Sequence, residues 1–225
     1  MRKLILSAGI SLVVLCVFSV SSARADSLSS VEYTVTVNTT SALLTSGYID
    51  FQFNPSSFAT QSANVDVANF MTDGVLNPAD PNNGTVGSVS GMLPGTVTFT
   101  NSHTTNEYTE AMTFGTTITF NLYLYGAAIS NPNGTGGGTF TLDFLNSDQS
   151  GYLFTANSQN DVPVFTVDIN GDGSTSASTY PSENGGPSVV SFTAPSATPE
   201  PTTILLFGSA AVVGFIKRKK LSPAR

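Results

Sequence analysis

Apolar and polar side chains alternate with a period of two through the middle of this chain. In TTITFNLYLY, Ile118, Phe120, Leu122 and Leu124 share one face, and Thr117, Thr119, Asn121, Tyr123 and Tyr125 share the other. In EYTVTV, Tyr33, Val35 and Val37 oppose Thr34 and Thr36. In YIDFQF, Ile49, Phe51 and Phe53 oppose Tyr48, Asp50 and Gln52; in TFTLDF, Phe140, Leu142 and Phe144 oppose Thr139, Thr141 and Asp143. Successive side chains of a strand point to opposite faces, so this pattern predicts strands with one face buried. Pro94-Gly95, Asn131-Pro132-Asn133-Gly134, Gly136-Gly137-Gly138 and Asn170-Gly171-Asp172-Gly173 punctuate the runs as turns. The reading is strands near 31–38, 48–54, 63–70, 85–91, 95–101, 116–125, 139–145, 151–155, 163–169 and 188–194. TNSHTTNEY, from Thr100, reads as a loop. Strands with one apolar face stack as two antiparallel sheets. The expected fold is all-β, an antiparallel β-sandwich over residues 26–195, with a jelly roll as one form of it.

Helix is expected only at the two ends. Arg2 and Lys3 precede an apolar stretch from Leu4 to Val20, and Ala23-Arg24-Ala25 follows it as a small-x-small cleavage pattern. That order reads as a signal peptide over residues 1–25, cut by signal peptidase after Ala25 to leave Asp26 first. Cys16, the single cysteine, leaves with it. The mature chain then holds no disulfide, zinc–thiolate site or cysteine nucleophile. Residues 196–225 differ again: Pro199-Glu200-Pro201, an uncharged apolar segment from Thr202 to Ile216, and the basic run Lys217, Arg218, Lys219 and Lys220. As a helix, 202–216 spans roughly 22 Å, short for a hydrocarbon core of about 30 Å. Snorkelling of the four basic side chains and local thinning make up the difference. The basic run, as a membrane stop, stays on the cytoplasmic side, so the body lies across the membrane.

The C-terminal arrangement resembles the sorting signal of PEP-CTERM proteins: the Pro199-Glu200-Pro201 triplet, the apolar helix and the basic cluster, in that order at the chain end. The body is similar to a subgroup with an early YTVTV…GYIDFQFNP pattern, here Tyr33 to Val37 and Gly47 to Pro55, and a later GTVTF, here Gly95 to Phe99. Thr198 and Thr202 stand where family members often carry Val and Ser. The resemblance implies export, a transient stay in the inner membrane, recognition near the triplet by an exosortase-type membrane protease, and delivery to the cell surface or extracellular matrix. It also implies association with exopolysaccharide or biofilm. The subgroup brings no enzymatic activity with it. The physics of the signal is consistent: two prolines hold the pre-membrane segment extended, as a protease needs it.

Charge narrows the function classes. All eight Lys and Arg lie before Asp26 or after Ile216, and all fifteen Asp and Glu lie between those limits. With no cation to neutralise phosphate, the body has no basis for binding nucleic acid. Phosphoryl transfer lacks its usual Lys or Arg clamp. The carboxylates are left to solvent, to hydrogen bonds or to cations.

Candidate chemistry is sparse. In DINGDGSTS, Asp168, Asn170 and Asp172 occupy the first, third and fifth places of a calcium loop, with Gly173 at the sharp turn. Thr179 stands where the bidentate acid belongs, and the same residues suit a plain β-turn. Both readings stand on sequence, a turn alone and a turn that binds calcium; no other cofactor is expected. His103 is the only histidine, so a three-His zinc site cannot form. Glu107 and Glu110 are a conceivable acid pair for glycoside hydrolysis, but three residues apart in an extended segment they face opposite sides. Tyr48, Tyr108, Tyr123, Tyr125 and Tyr152 could stack on sugar rings. The leading expectation is a non-enzymatic, exported surface or matrix protein. A calcium-assisted carbohydrate-binding module is the alternative, and a glycoside hydrolase the third reading.

Overall fold

A computed structural model describes residues 30–56, 60–155 and 162–194. The expected signal peptide and helix (1–25), the Pro-Glu-Pro triplet, the expected transmembrane segment (202–216) and the basic tail lie outside the described residues. Thirteen strands lie among the described residues: β1 (Ser30–Asn38), β2 (Ser46–Asn54), β3 (Asn64–Thr72), β4 (Val75–Leu76), β5 (Gly84–Val86), β6 (Val89–Gly91), β7 (Val97–Thr100), β8 (Glu107–Thr113), β9 (Thr117–Tyr125), β10 (Gly138–Asn146), β11 (Phe165–Ile169), β12 (Thr175–Thr179) and β13 (Val190–Thr193). One short helix, α1 (Ala127–Ser130), follows β9.

The strands form two sheets in which every pair is antiparallel. Sheet A runs β13-β1-β9-β3-β7-β6; sheet B runs β12-β11-β10-β2-β8-β4, with β5 also paired to β8. The register follows the alternation. Along the β1–β9 ladder, Val35 faces Phe120 and Tyr33 faces Leu122, so both apolar sets land on one side. On β2, Phe51 lies between Leu142 of β10 and Tyr108 of β8. The inward sets of both sheets join in one hydrophobic cluster. Phe51 of sheet B meets Phe120 of sheet A edge-on at 5.4 Å, and stacks on Phe140 at 5.9 Å. Phe114, Phe144 and Phe154 form a second aromatic group with T-shaped contacts. Each fully buried Phe contributes about 1.5–3 kcal/mol through area removed from water. The architecture is thus an all-β sandwich of two antiparallel sheets.

Several strand expectations need correction. The predicted strand 85–91 is two strands in different sheets. Gly87 at φ +74° turns the chain between them, and a Cβ there would meet the Thr105 carbonyl. The predicted strand 151–155 reduces to one bridge, Leu145 to Tyr152, because Phe154 at φ +62° leaves the extended region. The end of the TNSHTTNEY loop is strand: Glu107 and Tyr108 open β8, which holds the pairings of β2, β4 and β5. β12, read as TSAST, carries no apolar face; as an edge strand paired to β11 alone it needs none. Helix is not confined to the ends, since α1 and two single 3₁₀ turns lie in the body. Among the described residues no helix is long and apolar enough to cross a membrane.

Candidate functional site

The outer face of sheet A presents two of the sequence-nominated tyrosines together. Tyr123 and Tyr125 stand two residues apart on β9, a central strand, half-exposed on the polar side of the alternation. Strand geometry puts them about 7 Å apart. Glu32 of β1 and Asp66 of β3 flank Tyr123 in register. The rings are fixed by their hydroxyls. Tyr125 donates to Asp66 Oδ1 at 3.3 Å, and Asn121 Nδ2 donates to the Tyr123 hydroxyl at 3.2 Å and to Glu32 Oε1 at 2.9 Å. Burial, and next the Asp66 charge, push the Tyr125 hydroxyl above its ordinary pKa. The result is a polar face with two anchored aromatic rings and hydrogen-bonding groups on both sides. It suits stacking and hydroxyl recognition.

The other tyrosines do not join this face. Tyr48 is buried beneath the β4–β5 connection, where its hydroxyl donates to Asp80 and accepts from Asn82. Tyr108 is a core residue stacked on Phe51 at 6.5 Å. Tyr152 sits half-buried at its bridge to Leu145.

The outer face of sheet B carries a set the sequence reading did not single out. Asp50 lies directly between Thr109 on β8 and Asp143 on β10. Asp50 is 3% exposed and Asp143 1%. Thr109 Oγ1 donates to Asp50 Oδ1 at 3.2 Å and to Glu107 Oε1 at 3.3 Å, and Gln52 Nε2 donates to Asp50 Oδ2 at 2.9 Å. Burial pushes the Asp50 carboxyl up to about 7, with the Glu107 charge adding to it. The alternation in YIDFQF did place Asp50 and Gln52 on one polar face, whereas Glu107 and Thr109 lie in a stretch that the sequence did not mark as strand. It gave no sign that this face is covered.

Glu107 and Glu110 project to opposite faces of β8. Glu110 points between the sheets, 5% exposed. Its Oε2 accepts from the Tyr108 hydroxyl at 2.8 Å, and the Tyr108 oxygen accepts from Leu93 N at 3.0 Å. Its Oε1 meets no hydrogen-bond partner among the described residues. Burial raises the Glu110 pKa, partly offset by the Tyr108 bond.

The β11–β12 connection separates the nominated calcium ligands. Asp168 lies on β11 and accepts from Thr139 Oγ1 of β10. Asn170 Nδ2 donates to Ser174 and Ser176, and Asp172 Oδ1 accepts from the Ser174 amide at 3.0 Å and its hydroxyl at 2.6 Å. Gly173 N donates to the Asn170 carbonyl, with Gly173 at φ +84°. The turn thus closes on its own side chains. Among the described residues no group of three or more His, Cys, Asp or Glu is placed to hold a metal.

His103 is exposed, and its Nδ1 lies 2.8 Å from Ser88 Oγ. The surrounding contacts are hydroxyls, Ser102 and Thr100, and no carboxylate enters this group.

Comparison with protein-family models, with curated proteins and with solved structures yields no match. The functional reading therefore rests on the residues themselves.

Proposed function

We propose that this chain is an exported, non-enzymatic protein of the cell surface or extracellular matrix. On this reading its C-terminal Pro-Glu-Pro signal routes it through an exosortase-type protease. The carrying observation is the partition of charge. Every Lys and Arg sits at one end or the other, in the patterns of a leader and of a membrane stop, and none falls between Asp26 and Ile216. Basic clusters beside both apolar segments favour the cytoplasmic side for the two ends, which leaves the body across the membrane. The strand orders β1-β9-β3-β7 and β2-β8-β4, with β1, β2 and β3 alternating between sheets and β7, β8 and β9 doing the same, support a jelly-roll arrangement of that body. Intact mass of the protein from its native host tests the reading. The expected product begins at Asp26 and ends near Pro201. A surface form that retains Lys217 to Lys220 overturns it.

A second reading is favoured by the anchored pair on β9. Tyr123 and Tyr125 form a stacking platform flanked by Glu32, Asn121 and Asp66, which fits a neutral polyhydroxylated chain such as exopolysaccharide. Binding of the purified protein to the host's own polysaccharide should fall by about tenfold or more in Tyr123→Ala combined with Tyr125→Ala, a loss of about 1.4 kcal/mol. Equal binding by wild type and double variant removes this reading without touching the first.

A further inference from the structure

The sandwich has an opening at the edge where β5 of sheet B lies beside β6 of sheet A. The neighbour of β8 is broken there. Val75–Leu76 pairs with one part of β8 and Gly84–Val86 with another, and the Asn83 side chain takes the place of a strand by accepting from Ala111 N at 2.7 Å. A cavity of about 240 Å³ lies at this break. Pro78, Met92 and Leu93 give it apolar walls, Asn83 adds a polar rim, and Tyr108 and Glu110 form its inner end. Met92 is 67% exposed at the mouth, whereas Glu110 and Tyr108 are buried.

The unusual group is Glu110. A carboxyl group between two apolar sheets carries a large desolvation cost unless both oxygens are bonded. Tyr108 serves one oxygen; the other, Oε1, is buried and without a partner among the described residues. No basic side chain exists anywhere from Asp26 to Ile216, so the body cannot supply a counter-ion of its own. Of the residues lining the cavity only Glu110 and Tyr108 titrate, and the Tyr108 hydroxyl is held as a donor to Glu110. The field of a wholly acidic body attracts cations toward it.

We propose that this cavity binds a primary ammonium group carried on a short apolar stem, with Glu110 as its counter-ion. The ammonium nitrogen donates to Glu110 Oε1 and the stem lies against Leu93, Met92 and Pro78. Its remaining protons reach the polar rim at Asn83. Oε1 is closed to solvent in this structure, so the ligand must displace side chains at the cavity, the exposed Met92 among them, to reach it. Such a ligand completes the hydrogen bonding of the buried acid and neutralises it, which no hydroxyl or anion would do. Burial raises the Glu110 pKa, so binding of the ammonium ion releases the carboxyl proton to solvent, and binding tightens as pH rises through the titration of the free protein.

The test is titration of the purified full chain with n-butylammonium chloride, followed by calorimetry and thermal melting. Sodium chloride at equal ionic strength and n-butanol are the controls. The expected result is saturable binding of butylammonium, tighter at pH 8 than at pH 5, with no comparable effect of butanol. Glu110→Gln should weaken it by about tenfold or more, the equivalent of about 1.4 kcal/mol. Met92→Trp fills the mouth from an exposed position and should block it with Glu110 intact. If butanol binds as well, the cavity is merely apolar. If Glu110→Gln binds like wild type, the amine sits elsewhere on the acidic surface. If Glu110→Gln does not fold, unchanged binding in Met92→Trp still overturns the assignment.

Discussion

Asp50 shows how one carboxylate can set the pH response of the domain. It lies on the polar side of β2, is covered, and faces Asp143 and Thr109 in register with Glu107 beside it. An unfolded aspartate titrates near 3.8, whereas folded Asp50 titrates near 7. Between those values the folded chain holds a proton that the unfolded chain has lost. The stability from this site is complete below about pH 4 and is lost as pH rises through about 7. At about 1.4 kcal/mol per pH unit, the loss across the window is on the order of 4 kcal/mol. Asp50→Asn cannot ionise and keeps an acceptor for Thr109. Chemical denaturation from pH 4 to pH 8 should show wild type weakening steadily and Asp50→Asn weakening less, with the remaining slope belonging to the buried Glu110, and with the variant the more stable at pH 8. A variant as pH-sensitive as wild type contradicts this account. The exposed acids Asp73, Asp148 and Asp172 have pKa values lowered by hydrogen bonds from hydroxyls and amides, an opposite tendency. Solvent screens them, and they do not reverse the trend.

Among the elements, β9 and the β11–β12 turn play different parts. β9 pairs with β1 along its whole length and with β3 on its other side. Its inner residues Ile118, Phe120, Leu122 and Leu124 are all buried. Phe120→Ala opens a cavity against Phe51 and should cost about 3–5 kcal/mol, read as a lower denaturation midpoint at an unchanged slope. The β11–β12 turn already satisfies Asn170 and Asp172 with Ser174 and Ser176, and it directs Asp168 to Thr139. Millimolar calcium should therefore raise the melting temperature no more than sodium chloride of equal ionic strength. A calcium-specific gain that vanishes in Asp168→Ala with Asp172→Ala would establish a site there instead. Bound at about a hundredfold excess over its dissociation constant, such an ion would add about 2.7 kcal/mol.

At the scale of the whole molecule, charge is one-sided. With no Lys or Arg between Asp26 and Ile216, the acids of the body repel one another without compensation. Raising sodium chloride from low to moderate strength shortens the Debye length to about 10 Å or less and should raise the melting temperature. Asp50→Asn should keep most of this gain, because the effect belongs to the sum of charges. A melting temperature that does not move with salt would show that the carboxylates are already neutralised in pairs.

Period-two alternation determined much of this protein without help from the fold. It placed Phe120, Phe51 and Phe140 inward and Tyr123, Asn121 and Thr141 outward, because a strand cannot turn one side chain without turning its neighbours. It also separated Glu107 from Glu110, and composition alone removed every basic group from the body. Turn chemistry was legible at Asn170 to Gly173, where the side chains that close the turn are neighbours in sequence. Tertiary structure decided what depends on partners distant in sequence. The split of 85–91 between two sheets turned on one positive φ beside the Thr105 carbonyl. The burial of Asp50 depended on strands that begin more than fifty residues later, β8 and β10. The acid at the inner end of the edge cavity required Leu93, Tyr108 and Glu110 to meet. Local pattern reports which way a side chain points; only the packed chain decides whether water remains on that side.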